Sequence, residues 1–456
     1  MIFSSLFSVV GMAVLFLIAW VFSSNKRAIN YRTIISAFVI QVALGALALY
    51  VPLGREMLQG LASGIQSVIG YGYEGVRFLF GNLAPNAKGD QGIGGFIFAI
   101  NVLAIIIFFA SLISLLYYLK IMPLVINLIG GALQKCLGTS KAESMSAAAN
   151  IFVAHTEAPL VIKPYLKSMS DSEIFAVMCV GMASVAANIF VAHTEAPLVI
   201  KPYLKSMSDS EIFAVMCVGM ASVAGPVLAG YASMGIPLPY LIAASFMSAP
   251  GGLLFAKIIY PQNEAISSHA DASAEKHVNA IEAIANGAST GLNLALHVGA
   301  MLLAFVGMLA LINGLLGVVG GFLGMEHLSL GLVLGTLLKP LAFMLGIPWS
   351  QAGIAGEIIG IKIALNEFVG YMQFLPYLGD NSPLILSEKT KAIITFALCG
   401  FANLSSVAML IGGLGSLVPK KKDLIVRLAL KAVLVGTLSN FMSATIAGLF
   451  IGLNAH

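Results

Sequence analysis

Asn150–Pro159 reads Asn-Ile-Phe-Val-Ala-His-Thr-Glu-Ala-Pro, and Asn188–Pro197 repeats it residue for residue. The stretch sets Asn, His, Thr and an ionisable Glu among apolar neighbours. The chain around it is more apolar still. Of 456 residues, 59% are hydrophobic and 10% charged, and the mean hydropathy is +0.96. Several apolar runs reach about 20 residues, the length that crosses a hydrocarbon core. The sequence therefore reads as a polytopic helical membrane protein, without the alternating strands of an outer-membrane barrel. In that setting a carboxylate is costly unless it lines a cavity or meets a partner, so it marks a functional site. The plainer alternative is a Glu at a helix end facing headgroups. A second polar cluster of the same design downstream argues against it.

Taken in order, Ile2–Phe22 is a first span that lacks the basic n-region of a signal peptide. Ser23–Arg32 carries Lys26, Arg27 and Arg32, and the positive-inside rule puts it in the cytoplasm with the N-terminus outside. Thr33–Val51 leads out, Gly54–Leu83 suits an amphipathic interfacial helix, and Phe96–Leu119 leads in. Lys141–Met169, broken by Pro159 and Pro164, fits a re-entrant hairpin, since irregular backbone at depth must line protein or a cavity. Ser210–Ser233 and Leu238–Ile259 are the next spans, Pro261–Gly287 a polar cytoplasmic loop, and Leu292–Leu316 leads out. Leu328–Gly346 and Gln351–Pro376 form a second broken region, Lys389–Ile411 leads in, Pro419–Arg427 is basic, and Ala429–Leu453 leads out. Two independent basic loops agree on this parity. The expected plan is all-α, with eight transmembrane helices and two re-entrant hairpins.

The exact repeat covers 38 residues: Ala149–Ala186 recurs as Ala187–Ala224. If both copies crossed the membrane, every later loop would change sides and Lys420–Lys422 would face out. One copy's worth of chain is therefore expected not to cross. Either copy could supply the hairpin tip. A second, diverged repeat is more informative. Asn188-Ile-Phe-Val is followed by Pro202-Tyr-Leu, Ser210-Glu, Phe213-Ala-Val-Met-Cys and Gly219-Met-Ala-Ser-Val-Ala. Asn366-Glu-Phe-Val is followed by Pro376-Tyr-Leu, Ser387-Glu, Phe396-Ala-Leu-Cys and Gly400-Phe-Ala-Asn-Leu-Ser-Ser-Val-Ala. Two hairpin-plus-span units of opposite topology are the plan of a secondary transporter with its site at mid-membrane.

At Ala147–Pro159 (AAANIFVAHTEAP), Asn366–Tyr371 (NEFVGY) and Ser387–Ser406 (SEKTKAIITFALCGFANLSS) the chain resembles the concentrative nucleoside transporter family. The resemblance runs from the first span to the last, interrupted by the extra 38 residues. It implies a homotrimeric, elevator-type inner-membrane carrier of a nucleoside with sodium. The scaffold would hold residues 1–119 and 419–456, the transport domain 120–233 and 327–418, and residues 234–326 two further spans with the cytoplasmic loop 261–287. Carried over by motif, His155, Thr156 and Glu157, or their copies His193, Thr194 and Glu195, would meet the base, with Val227 nearby. Glu367, Asn403 and Ser406 would meet the ribose, with Phe401 beside it. Sodium would sit at Asn150 and Val153, or Asn188 and Val191, with Ser222 and Val223. The family's tip usually reads Gly-Gln-Thr-Glu and here reads Ala-His-Thr-Glu. Neutral His donates and accepts through two ring nitrogens, and it titrates.

The chemistry is coherent by itself. A carboxylate at Glu367 accepts hydrogen bonds from sugar hydroxyls, and Asn403 and Ser406 extend that network. Phe401 offers a ring face or an apolar wall. Unwound hairpin tips expose carbonyl oxygens, which suit a hard cation. Sodium is then a co-substrate, and no cofactor, enzymatic activity or nucleic-acid partner is expected. No CxxC or Cys/His cluster suggests a metal centre in Cys136, Cys179, Cys217 or Cys399. Glu357 and Lys362 read as a structural pair or interfacial charges, His297 as a satisfied interhelical hydrogen bond, and Lys339 as a snorkelling cation. Two rival readings stand beside sodium symport. One is proton coupling through the hairpin His and Glu; the other is a form trapped by the duplication.

Overall fold

The computed structural model describes residues 2–85, 95–122, 220–223, 225–261, 279–325, 328–379, 384–407 and 422–454, with 124–125, 128, 213 and 216–217. Among them the protein is helical, with α1 at Ile2–Val21, α2 at Tyr31–Leu49, α3 at Pro52–Phe80 and α4 at Ala104–Tyr118. A π-helical turn, Ala99–Leu103, leads into α4. Then come α5 (Gly225–Ser233), α6 (Leu238–Ile259), α7 (Ala280–Leu323), α8 (Leu330–Met344) and α9 (Trp349–Ala364). The chain closes with α10 (Glu367–Phe374), α11 (Glu388–Leu398) and α12 (Lys422–Asn454).

Side-chain caps set many of the starts. Asn30, Asn279, Ser329, Asn366 and Ser387 each accept a hydrogen bond from a backbone N–H of the first turn they open. The Asn279 cap corrects one sequence expectation. Residues 280–287, read as the end of a polar loop, are already helix, and α7 runs on past Leu316 to Leu323. The Glu282 N–H reaches Asn279 Oδ1 at 2.8 Å, which starts the helix while its sequence is still polar.

The helices sort by what they bury. In α6, 89% of the most apolar window is buried; in α7 the share is 11%. Hence α6 is an internal staple and α7 turns most of its surface outward, as a lipid- or subunit-facing helix does. Around α6 pack α2 and α12, with α1 and α11 against α12. Gln41 of α2 donates to Ser443 Oγ of α12 at 2.9 Å inside this bundle. Polar pairs of this kind hold helices together where apolar contact alone gives no preference over lipid. Elsewhere α4 lies along α7, and α5 lies on α4.

Two sets of contacts mark the two ends of the bundle. The Ser24 N–H donates to Ile259 O at 2.8 Å, so the loop after α1 and the end of α6 share one face. At the opposite ends of those bundle helices, Ser8 of α1 and Lys389 of α11 crowd Gly346, and Lys389 also lies against Gly448 and Gly452 of α12. Gly346 has φ +99° and makes a turn that a side chain would strain. There the chain bends by 118° between α8 and α9.

That bend is not the hairpin tip. From it α9 runs inward for 16 residues, about 24 Å of helix. It breaks at Leu365–Asn366, and α10 returns. The return is closed at the starting level, where Gln351 Nε2 donates to Ile385 O at 3.4 Å and Thr390 Oγ1 donates to Gln351 Oε1. The re-entrant hairpin is therefore α9–α10, with Glu367 at its tip. The diverged repeat, which sets Asn366-Glu-Phe-Val against Asn188-Ile-Phe-Val, points to the same place, and the Asn366 cap restarts the helix there.

Candidate functional site

Two spans break at the centre of the molecule. One breaks at Ser222 and Val223, before α5. The other, read in the sequence as the span Lys389–Ile411, leaves helix after Leu398 and resumes at residues 404–407. The breaks touch: the Phe401 N–H donates to Ser222 O at 3.4 Å. Behind them α12 comes close because it presents glycine. A Cβ on Gly436 would sit 2.6 Å from Met220 Cβ and 2.9 Å from Ala402 Cβ, one on each side of the crossing. Asn440, one turn on, occupies the space beside Gly400.

Glu367 faces this crossing from the tip of the α9–α10 hairpin. It lies in the first turn of α10, where the helix dipole favours an anion, and only 4% of it is exposed. Both carboxylate oxygens have donors. Oε1 accepts from the Tyr231 hydroxyl of α5 at 3.1 Å, and Oε2 accepts from Asn403 Nδ2 at 3.0 Å. Asn403 is committed at its other end as well. Its Oδ1 accepts from the Ser406 N–H at 2.9 Å, from Ser406 Oγ at 2.9 Å and from Ser405 Oγ, which caps the resumed turn. The Ser406 hydroxyl also lies within bonding reach of Phe401 O, and its single proton serves one acceptor at a time.

The structure thus brings together Glu367, Phe401, Asn403, Ser406 and Ser222, with buried Val223 beside Ser222 in the break. Val227 is buried on α5, one turn before Tyr231 and on the same face. Asn150, Val153, His155, Thr156 and Glu157, and their copies Asn188, Val191, His193, Thr194 and Glu195, lie outside the described residues.

Two residues beside Glu367 escaped the sequence reading. Tyr231 carried no signal beyond an aromatic in an apolar run. Lys362 was read with Glu357, but the two part in the fold. Glu357 packs on Gly331 and Gly335 of α8. Lys362 is fully buried, its Cβ against Gly370, one turn past Glu367. Its ammonium has no hydrogen-bond partner among the described residues, and it interacts electrostatically with Glu367. The available signal was a lysine five residues before Glu367 with no acid one helical turn away on either side. The other expectations resolve simply. His297 Nδ1 meets Asn293 O of its own helix at 2.8 Å, not a neighbouring helix, and Lys339 Nζ sits 4.5 Å from the Trp349 ring centroid. Among the described residues, Cys217 and Cys399 are buried free thiols.

A neutral ligand rich in hydroxyls suits this arrangement. The buried carboxylate offers acceptors, Asn403 and Ser406 continue the network, and the nearby Phe401 is half-buried. Comparison with known proteins narrows the class. The family model described as Na+ dependent nucleoside transporter C-terminus matches residues 240–448, and its N-terminal counterpart matches 10–83. A nucleoside recognition model matches 99–194. The chain is 89% identical over 456 residues to the nucleoside permease NupC of Helicobacter pylori, covering 100% of both. It is 33% identical over 458 residues to sodium/nucleoside cotransporter 2 of Rattus norvegicus, covering 97% of this chain and 62% of that one. A solved structure of CNTnw in an inward-facing substrate-bound state matches with TM-score 0.84 and 52% identity over 99% of both chains. A doubly substituted CNTnw in an outward-facing state matches with TM-score 0.85 and 51% identity, over 99% of this chain and 100% of that one. The all-α polytopic fold is shared with them.

Proposed function

Because this chain belongs to the Na+ dependent nucleoside transporter family, we propose that it is a sodium-coupled symporter carrying uridine-like nucleosides into the cell by an elevator movement. The family makes it a membrane transporter of nucleosides and not an enzyme. The observation that carries the finer reading is the Glu367–Asn403–Ser406 network at the crossing of two broken spans. Glu367 and Asn403 bind the ribose hydroxyls, Ser406 steadies Asn403, and Phe401 lies beside the sugar. The hairpin residues His155, Thr156 and Glu157, or His193, Thr194 and Glu195, meet the base, with Val227 near it.

Sodium is a transported ion here, held by Asn150 and Val153 or Asn188 and Val191 together with Ser222 and Val223. Its charge offsets buried carboxylate charge. An inward potential adds about 2.3 kcal/mol per charge per 100 mV, which supports roughly fifty-fold accumulation for one ion. The assembly is a homotrimer in the inner membrane with the N-terminus outside.

The test is uptake of tritiated uridine into proteoliposomes, with and without an inward sodium gradient. This chain and the Ala149–Ala186 deletion are run side by side. Sodium-dependent accumulation by both supports the reading and shows the extra copy to be tolerated. Transport by the deletion alone identifies a form trapped by the duplication. Uptake that follows a proton gradient and ignores sodium replaces sodium coupling with proton coupling through the hairpin His and Glu.

A further inference from the structure

Tyr231 is the one described residue that ties the carboxylate of the second repeat to the helix of the first. It is fully buried, and its ring is fixed on two sides by α10: Phe368 at 4.8 Å and Tyr371 at 4.7 Å between centroids. Tyr371 is itself anchored by its hydroxyl to Thr395 O at 2.9 Å. The Tyr231 hydroxyl therefore has a defined place, and from it donates to Glu367 Oε1.

A glutamate side chain has three rotatable bonds, and left alone it samples many carboxylate orientations. Each ionised oxygen offers about two lone-pair directions. Here one direction on Oε1 is taken by Tyr231 and one on Oε2 by Asn403. The backbone N–H of Glu367 is a further donor to the carboxylate, which leaves about one lone-pair direction for a ligand. That acceptor suits a hydroxyl of a sugar.

We propose that Tyr231 is a positioning residue for the sugar, its hydroxyl holding the Glu367 carboxylate in the orientation that receives a ribose hydroxyl. The inference rests on the reading of Glu367 as the ribose acceptor. Tyr231 does not touch the substrate in this scheme. It lowers the cost of binding by ordering the acceptor beforehand.

The experiment measures inhibition of uridine uptake by unlabelled uridine and by 2′,3′-dideoxyuridine in three variants: Tyr231→Phe, Glu367→Gln and the double substitution. Tyr231→Phe keeps the ring and removes the donor. The apparent uridine affinity falls roughly tenfold, the size of one hydrogen bond to a charged group. The dideoxyuridine affinity changes by less than about twofold, because that ligand has no 2′ or 3′ hydroxyl to place. In the double variant, losing the Tyr231 hydroxyl costs uridine less than about a further twofold. An equal loss for both ligands shows a general packing role and overturns the proposal, as does an unchanged uridine affinity or additive losses in the double variant. If Glu367→Gln leaves the preference for uridine over dideoxyuridine intact, the ribose reading of Glu367 falls and this proposal falls with it. Should Tyr231→Phe not reach the membrane, 3-fluorotyrosine at position 231 keeps the ring and acidifies the phenol. The uridine affinity then shifts while dideoxyuridine does not, and no shift overturns the proposal.

Discussion

The Phe401 N–H donates to the carbonyl of Ser222 at 3.4 Å, so the break in one repeat is tied directly to the break in the other. Broken helices leave backbone groups unpaired, and at membrane depth those must find partners or line a site. Here each break supplies part of the other's requirement. Helix resumes beyond the breaks at Gly225 and at residue 404, and Glu367 meets Asn403 beside the second of them from the hairpin tip. The consequences can be tested one residue at a time.

Asn403→Ala removes the donor to Glu367 Oε2 and the cap of residues 404–407 together. A buried group left without its partner costs about 1–3 kcal/mol. Equilibrium binding of uridine to the purified protein is expected to weaken by roughly tenfold to a hundredfold. Unchanged binding would remove Asn403 from the site.

Lys362→Met leaves Glu367 without its buried cationic neighbour. The Glu367 charge is then left with its hydrogen-bond donors alone, and losing a buried countercharge is destabilising. Thermal denaturation in detergent should show a marked drop for Lys362→Met. Adding Glu367→Gln should recover most of it, since no orphan charge then remains. Additive losses would show that the two charges do not sense each other.

Gly436→Val inserts atoms where α12 meets both breaks, with Met220 and Ala402 already in contact distance. The expected loss of stability is about 1–3 kcal/mol, with sodium-dependent uptake reduced beyond what the lower protein level explains. Gly353→Ala is the control, because nothing lies within 4 Å of a Cβ there. Its effect should stay below about 1 kcal/mol, in the stabilising direction that alanine gives a helix.

Topology can be read by labelling single cysteines in a background with Cys136, Cys179, Cys217 and Cys399 changed to Ala. Ser24→Cys lies in the exposed loop tied to the end of α6, and Glu56→Cys lies at the start of α3. With the N-terminus outside, an impermeant maleimide labels position 56 in intact cells and position 24 only in inside-out vesicles. The opposite pattern would invert the whole assignment.

Composition, two basic loops and the diverged repeat were enough to establish a helical membrane transporter with paired hairpins. Those features are local: apolar length, charge in loops and ordered small-residue motifs survive in one dimension. That Glu367, Asn403 and Ser406 would lie together was also legible, since polar residues in an apolar chain announce themselves and match a family's motifs. Tertiary structure decided the rest. The length of the two hairpin arms was fixed only in the fold, where a single capping Asn ends α9 at Leu365–Asn366 and starts the short α10. Lys362 left Glu357 and joined Glu367, because positions five apart on a helix face different ways while a folded-back tip brings α10 against α9. Tyr231 became part of the site only when α5 and α10 packed, for an aromatic in an apolar run carries no sign of what its hydroxyl will meet. Sequence spacing governs what lies along a helix; which side chains meet across helices depends on close approach, and at Gly370, Gly400 and Gly436 only the assembled bundle shows it.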